Sequence, residues 1–189
     1  ARRDGGIEFT SYFNPATDMS FERLSTLPTA DVIVTGLIGA TIGSPSFAMV
    51  AKQLNYDGTV GDDGSFVFTT EAASNSYGLQ WGDQLTAGKR TDTSATNGTG
   101  LDNGAASSFG LQAFLHVFAF TGTSVTVKLQ QSSDNAGGAA YADVTGGGFT
   151  AATGITSQRI ATAADQAVEQ WLRVVTSGTF SNGVFGVTV

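Results

Sequence analysis

The 189-residue sequence contains no cysteine and only one histidine, and these two shortages exclude several kinds of site. Without cysteine, the chain can form no disulfide, no thiolate zinc site and no cysteine nucleophile. The single histidine, His116, excludes metal sites that are built from several histidines. Because His116 lies inside an apolar segment, we expect it to have a structural role.

Sequence signatures of catalysis are lacking as well. Glu8, Glu22, Glu71 and Glu169 lie far apart in the sequence, so no two of them stand out as the acid and nucleophile of a glycosidase. Despite 25 glycines, no phosphate-binding loop opens a helix, and no GxSxG turn is present. The sequence therefore predicts a protein that is not an enzyme and that uses no metal or cofactor.

Charge is scarce and mostly acidic. Charged residues make up 13% of the chain, against roughly 25% in an average soluble protein. Sixteen acidic and nine basic residues give a net charge of −7 and an isoelectric point near 4.4. Because nucleic-acid-binding surfaces are basic, tight binding of DNA or RNA is not expected.

Long apolar segments are missing too. A stretch such as 111–120 is too short and too interrupted to span a bilayer, which takes about 20 residues, so we expect no membrane association. Residues 1–6 lack the apolar region of a signal peptide. Because the first residue is Ala1 and not an initiator methionine, we expect a processed chain or a fragment.

The residues that are abundant favour β-structure. Glycine supplies positive φ angles in tight turns, and the β-branched Thr and Val suit pleated strands. Ile7, Phe9, Ser11 and Phe13 alternate so that they share one side of a strand. In the first half, strands are predicted at 7–13, 31–38, 46–55, around Phe66 and Phe68, and at 74–81, with Tyr77, Leu79 and Trp81 as core candidates.

One short helix is predicted near the start of the chain. Phe21, Leu24 and Leu27 recur at three-residue spacing, and Ser20 stands where a capping residue belongs. Pro28 would end this helix, because the residue before a proline disfavours the helical region.

An acidic, glycine-rich segment follows at 56–64. Asp57, Asp62 and Asp63 offer carboxylates to calcium, but they do not occupy the alternating positions of an EF-hand loop, and no glutamate closes the loop. Because Asp-Gly is a common hairpin turn, the segment is interpreted as a solvated β-turn, with a metal site as the alternative.

Residues 87–105 contain no aromatic side chain and little large aliphatic surface, which is typical of a flexible linker. We therefore expect one domain at 1–86 and a second at 106–189. In the second half, Val125, Val127 and Leu129 are expected to face inward from a strand. Strands are predicted at 111–120, 125–131, 141–144, 158–161, 171–176 and 184–189, a helical turn at 163–170, and glycine turns at Gly122 and Gly178.

Two aromatic residues are candidates for a surface ligand contact. Tyr141 lies beside a glycine-rich loop, and Phe149 follows another, so that either ring could stack on a sugar. The alternative is that both are core aromatics that flank turns.

The pattern of both halves resembles the major tail proteins, also called tail tube proteins, of long-tailed bacteriophages that infect actinobacteria. In the first half, the resemblance is carried by segments 9–15, 24–29, 32–35 and 42–56. The second half is similar to the outer β-sandwich domain that such proteins often carry, through segments 109–117, 125–135, 141–144, 158–161 and 171–175.

This resemblance implies a mainly β fold, in which a tail-tube-like β-barrel or sandwich domain with one short helix precedes an Ig-like or jelly-roll β-sandwich. It implies homo-oligomeric rings, commonly hexameric, that stack into a conduit for the transient, non-specific passage of DNA and contact other tail proteins. The protein would then be part of the virion and would assemble in the host cytoplasm. A complete tube subunit is expected to have further strands before residue 7, so the first domain is expected to be incomplete.

The sequence thus predicts a non-enzymatic virion structural protein whose second domain projects outward. The alternative is a module that binds carbohydrate or a cell surface, through the glycine-rich loops of the second domain.

Overall fold

The computed structural model describes residues 4–17, 19–27, 29–135 and 140–189. The protein is mainly β, with 56% strand, 3% helix and two curled antiparallel sheets of a sandwich-like or barrel-like kind. The predicted fold class is therefore confirmed.

The first-sheet strands are β1 (Gly6–Tyr12), β2 (Val32–Leu37), β3 (Pro45–Gln53), β4 (Asp57–Val60), β5 (Phe66–Ser74) and β6 (Gln80–Asp83), with α1 (Ser20–Leu24) between β1 and β2. The second-sheet strands are β7 (Arg90–Asp92), β8 (Leu101–Asp102), β9 (Gln112–Ser132), β10 (Ala142–Gly148), β11 (Thr156–Ala161) and β12 (Trp171–Thr188).

The first sheet has the strand order β1-β5-β3-β2, with β4 paired to β5 and β6 paired to β3. The second sheet has the strand order β10-β9-β12-β7, with β11 paired to β9 and β8 paired to β12.

The chain forms two compact units whose boundaries differ from the predicted domains. Unit 1 contains the described residues up to Val34 together with Ala48–Gln80. Unit 2 contains Thr35–Phe47 and Trp81–Val189. The segment at 35–47 is assigned to unit 2 although it lies early in the chain, and one reason is that Ile42 packs on the large core of that unit.

Unit 1 is organised around β5. On one side, β5 pairs with β1 along seven residues, from Gly6 opposite Ala73 to Tyr12 opposite Val67. On the other side, it pairs with the end of β3 and with β4. The core is small: Met49, Ala51 and Ala72 are buried, and Ile7, Val32, Val34 and Leu79 are packed against them.

The predicted helix and acidic turn of unit 1 are present, with differences in detail. The helix begins at Ser20, but its N-cap is Met19, which makes no capping hydrogen bond through its side chain. In the acidic segment, residues 57–60 form a strand, and the turn follows, where Gly61 donates to Ser65 O at 2.7 Å. In the described part of the chain, no three acidic or histidine side chains come together as a metal site.

Unit 2 is organised around one long antiparallel ladder between β9 and β12. The ladder runs from Phe114 opposite Thr188 to Ser132 opposite Trp171. Its core side contains Val125, Val127 and Leu129, as the alternation predicted. Val144, Ala152 and Phe149 belong to the same buried cluster, which closes the core.

The sequence predicted β9 and β12 as two strands each, because Gly122 and Gly178 were interpreted as turns. Both glycines instead lie within continuous strands, with φ angles of +150° and +120°. A Cβ atom on Gly122 would lie 2.4 Å from Phe180 Cα, and one on Gly178 would lie 2.4 Å from Ser124 O. The glycines therefore let the two strands approach closely at these positions, and the ladder continues past them. Within 163–170, where one helical turn was predicted, the chain makes a single hydrogen-bonded turn, in which Gln166 N donates to Ala163 O at 3.1 Å, and Val168 then pairs with Ser107 in an isolated bridge.

The segment predicted to be a flexible linker, 87–105, is held against β12 and is not a linker in the structure. Its strand β7 pairs with β12 through Arg90 opposite Phe185 and Asp92 opposite Gly183, and β8 pairs with the start of β12. Composition showed only that this segment has little apolar surface, which indicated a linker. The interpretation failed because an ion pair, and not apolar burial, fixes the segment.

That ion pair joins Arg90 to Asp92 with two parallel hydrogen bonds. Arg90 Nε and Nη2 each donate to a carboxylate oxygen of Asp92 at 2.8 Å. Thr176 on β12 also donates to Asp92, at 2.6 Å, and Arg90 Nη1 donates to Val174 O at 3.0 Å. A Cβ atom on Gly98 would lie 2.3 Å from Arg90 Nη1, so a glycine is needed where the guanidinium passes. We call these contacts the Arg90–Asp92 clamp.

Replacing Asp92 with alanine should strongly destabilise unit 2. The side chains of Arg90 and Asp92 are 16% and 3% exposed, so the change would leave a largely buried guanidinium without its carboxylate. Removing one partner of a buried pair costs about 3–5 kcal/mol. Urea unfolding of Asp92→Ala measures this loss in the free energy of unfolding.

The exposed Lys128–Asp143 ion pair provides the control. Its two side chains are 37% and 51% exposed, and exposed pairs contribute less than about 1 kcal/mol. Equal losses in the free energy of unfolding for Asp92→Ala and Asp143→Ala would show that the Arg90–Asp92 clamp does not fix the segment 87–105 to β12.

Candidate assembly surface

Unit 1 exposes far more large apolar side chains than it buries. Among the described residues, its buried hydrophobic side chains are Ala48, Met49, Ala51, Phe68 and Ala72. Within its described residues, unit 2 buries 18 hydrophobic side chains and exposes six large ones. The ten large hydrophobic residues that unit 1 exposes are Phe9, Tyr12, Phe13, Met19, Phe21, Leu27, Leu54, Val60, Phe66 and Tyr77.

Five rings of unit 1 form a contiguous aromatic cluster, which we define as Phe13, Phe21, Tyr56, Phe66 and Phe68. Phe13 meets Phe21 edge to face with ring centroids 5.1 Å apart, and Phe66 lies 5.5 Å from Phe13. Tyr56 stacks on Phe68 at 4.3 Å. Three members, Phe13, Phe21 and Phe66, are exposed, so the cluster presents an apolar surface to solvent.

The backbone brings these rings together. Phe13 directly follows β1, and its amide donates to Phe66 O on β5 at 2.9 Å. Phe66 and Phe68 alternate along β5 and therefore share one face of the sheet, as their spacing predicted. Tyr56 directly precedes β4, which pairs with β5.

Strand β1 is an edge of its sheet, and one row of its backbone groups has no strand partner among the described residues. Phe13 donates to Phe66 O and Gly5 accepts from Ser74 N, so the odd-numbered residues direct their N–H and C=O groups toward β5. In an antiparallel ladder the intervening residues then direct theirs outward. These residues are Glu8, Thr10 and Tyr12. The Tyr12 carbonyl already accepts a long hydrogen bond from Ser20 Oγ at 3.5 Å, so the open part of the row is at Glu8 and Thr10.

The β1 edge lacks the features that usually block pairing with another strand. Proteins protect edges with lysine, proline or bulges, because an open row of N–H and C=O groups is a template for a further strand. The sequence of β1, GIEFTSY, has one charged residue, Glu8, and neither lysine nor proline. Its register with β5 runs without a bulge over all seven residues.

Two of the predicted core aromatics also lie at the surface. Tyr77 and Trp81 are exposed, whereas Leu79, between them, packs against the small core of unit 1. The interpretation was correct for Leu79 and wrong for its neighbours. In unit 2, the Trp81 ring lies 5.6 Å from the ring of Phe47.

Tyr141, the first predicted ligand contact, is half-buried and well anchored in unit 2. Its hydroxyl donates to Asn135 Oδ1 at 2.8 Å, and the guanidinium of Arg173 lies 4.0 Å from its ring centroid. Burial raises the pKa of the Tyr141 hydroxyl, an effect that the nearby Arg173 charge opposes. One side of the ring is therefore covered by Arg173.

A polar array extends from Arg173 across β9 to β10. Arg173 donates twice to Gln130 Oε1, at 2.7 and 3.0 Å, and Gln130 Nε2 donates to Asp143 Oδ1 at 2.9 Å. Lys128 completes the array at Asp143, and hydrogen bonds from Lys128 and Gln130 hold the Asp143 pKa below its usual value. These groups, with Tyr141, form a patch of hydrogen-bonding side chains beside an aromatic ring.

Phe149, the second predicted ligand contact, is only 4% exposed and is part of the unit 2 core. Its amide donates to Val127 O at 3.0 Å, which places the residue directly beside β9. The ring is therefore not a surface contact. Of the two interpretations, the core aromatic that flanks a turn is the correct one for Phe149.

His116 lies in unit 2 between two hydroxyl groups. Its Nε2 is 2.8 Å from Thr35 Oγ1, and its Nδ1 is 2.8 Å from Ser157 Oγ. Burial lowers the pKa of His116 below its ordinary value of 6.5. Both ring nitrogens are occupied, which fits the structural role that its apolar strand predicted.

Comparison with known proteins identifies no relative of this chain. No family model, no curated protein and no solved structure matches the chain. Within the described ranges, no helix has the length and apolar character needed to cross a membrane. The function is therefore inferred from the aromatic cluster, the β1 edge, the groups around Tyr141 and the sequence pattern.

The lowered pKa of His116 predicts that acid weakens unit 2. Between the pKa of the unfolded chain, about 6.5, and the lower folded pKa, only the unfolded state binds the proton, so stability falls as the pH falls. Urea midpoints measured at about pH 7.5 and about pH 5 should differ more in the native protein than in His116→Asn. The same shift in both proteins would show that His116 is not responsible.

Proposed function

We propose that the chain is a non-enzymatic structural protein of a bacteriophage virion, a subunit of the tail tube of a long-tailed phage. In this proposal, copies of the chain assemble into rings, commonly hexameric in the family that the sequence resembles, and the rings stack into a conduit for DNA. Unit 2 contributes an accessory β domain that projects outward and contacts other tail proteins.

The observation that carries the proposal is the excess of exposed apolar surface on unit 1. Monomeric proteins rarely expose contiguous apolar patches of more than a few hundred Å², and larger ones mark interaction sites. Here ten large apolar side chains of unit 1 are exposed, and three of them belong to the aromatic cluster. A subunit that covers this surface with a neighbouring copy gains the burial that unit 1 lacks by itself.

The open edge of β1 is a site at which a strand of a neighbouring copy could pair. If a strand of a neighbouring copy pairs with Glu8, Thr10 and Tyr12, the first sheet continues from one subunit into the next. A contact between two different surfaces of the same chain closes into a ring when the rotation between copies permits. A ring is the geometry that a tube requires.

The charge of the chain is compatible with a DNA conduit. A wall that lets DNA slide must not hold phosphates, and a protein with a net charge of −7 repels them on average. Passage of DNA would then be transient and independent of sequence.

A second candidate function is recognition of carbohydrate at a cell surface. The patch formed by Tyr141, Arg173, Gln130, Lys128 and Asp143 favours it. Tyr141 offers one ring face that Arg173 does not cover, beside the amide of Gln130 and the carboxylate of Asp143. An aromatic ring next to such hydrogen-bonding groups suits a sugar. Phe149 has no part in this candidate, because it is buried.

Replacing Thr10 with proline should block assembly while leaving unit 1 folded. The Thr10 amide is directed away from β5, so proline removes no hydrogen bond of the β1–β5 ladder, and proline is tolerated at such edge positions. Sedimentation velocity and negative-stain electron microscopy of the purified protein should show rings or stacked rings for the native chain and monomers for Thr10→Pro.

Thr10→Val is the matched control, because it keeps the amide and a β-branched side chain; it should assemble like the native protein. If the native chain sediments only as a monomer at every concentration, or if Thr10→Pro assembles as well as Thr10→Val, pairing through the β1 edge is wrong.

If the carbohydrate candidate is correct, glycan binding on an array should depend on the aromatic ring of Tyr141. Tyr141→Ala should abolish binding, and Tyr141→Phe, which keeps the ring and loses only the bond to Asn135, should retain most of it. If the native protein binds no glycan on the array, this candidate is excluded.

A further inference from the structure

A cavity in unit 2 beside His116 has no role in the proposed assembly. Its volume is about 140 Å³, and it lies between the segment 35–37, residues 84–89 and the paired strands β9 and β12. Its wall includes Thr86, Lys89, His116, Phe118, Gly186 and Val187.

The polar groups in the wall of this cavity are mostly satisfied by the protein itself. Thr86 Oγ1 donates to Gly88 O at 2.9 Å and accepts from Val187 N at 3.0 Å. Gln84 Nε2 donates to Gly39 O at 3.2 Å. The buried hydroxyl of Thr188 is the exception, since it has no partner among the described residues. A cavity with so few free polar groups favours an apolar guest over water.

Two aromatic rings form a firm wall. The rings of His116 and Phe118 are nearly parallel, with an angle of 15° between them and centroids 6.1 Å apart. The hydroxyls of Thr35 and Ser157 hold the imidazole ring in place at both nitrogens. A flat ring is therefore a suitable guest for this cavity.

The rim of the cavity carries a positive charge. Lys89 Nζ lies 4.6 Å from the centroid of the Phe118 ring, and Lys89 is exposed. No carboxylate is among the lining residues, although the chain as a whole has a net charge of −7. The rim thus selects for a negative group on the guest.

We propose that this cavity binds a monocyclic aromatic carboxylate, with the ring inside and the carboxylate at the rim beside Lys89. The size supports this class of ligand, because a protein cavity of about 150 Å³ is known to accept benzene. Unlike that enclosed cavity, the cavity beside His116 is partly open to solvent, and Phe118 in its wall is exposed. A bound ring therefore covers the exposed face of Phe118 and contacts Val187. The carboxylate keeps its contact with water while it pairs with the ammonium group.

Gly186 gives a direct test of the cavity. A Cβ atom there would lie 3.4 Å from Gly88 O, 3.6 Å from Phe118 Cε2 and 3.8 Å from Thr86 Oγ1, so a methyl group fits without a clash and faces three of the lining residues. Benzoate, benzene and benzylamine are the probes, and their binding is measured by ligand-observed NMR titration. Benzoate should bind best and benzylamine worst, and Gly186→Val should abolish the binding of benzoate and benzene.

Lys89→Gln tests the charge. It should weaken benzoate about two- to fivefold, as expected for an exposed ion pair, and leave benzene unchanged. Lys128→Gln, which removes a lysine outside the cavity, should change neither. If Gly186→Val fails to fold, Gly186→Ala replaces it and should weaken both ligands.

Absence of benzoate binding to the native protein overturns the proposal, as does binding that the Gly186 variants leave unchanged. Equal affinity for benzoate and benzylamine overturns the role of Lys89. None of these outcomes depends on whether the chain assembles into rings.

Discussion

A single curled sheet cannot cover its own apolar face, and unit 1 shows this constraint directly. Its buried core contains few side chains, while ten large hydrophobic residues, including Phe13, Phe21 and Phe66 of the aromatic cluster, remain exposed. The β1 edge adds backbone groups that have no strand partner among the described residues. Both features are costly for a monomer and useful for a subunit, and the proposed function follows from that difference.

Unit 2, in contrast, buries many large apolar side chains within its own core. Its long β9–β12 ladder continues through Gly122 and Gly178, and these two strands supply most of the residues of a common core. The Arg90–Asp92 clamp then fixes a segment with few apolar side chains to the outside of β12. A self-contained unit of this kind can carry an outward-facing role, and it holds the His116 cavity independently of any neighbour.

The sequence predicted the parts of the fold that depend on local alternation. Val125, Val127 and Leu129 face the core because strand side chains alternate, and the same rule places Phe66 and Phe68 on one face. Longer-range effects were beyond it. Composition does not reveal that Arg90 meets Asp92 and Thr176, which is why 87–105 was interpreted as a linker. Nor does it show whether a glycine ends a strand or lies within it. For the site, the sequence named Tyr141, which is half-buried beneath Arg173, and its role as a ligand contact stays a prediction. The burial of Phe149 and the cluster around Phe13 depend on tertiary packing.

We propose that this chain is a repeating subunit whose first sheet continues into its neighbours. The most direct test is cryo-electron microscopy of the assemblies that the purified protein forms. We expect stacked rings of the chain, with the outward backbone groups of Glu8, Thr10 and Tyr12 paired to an adjacent copy. A protein that remains monomeric, or rings in which the β1 edge remains unpaired, would contradict this proposal.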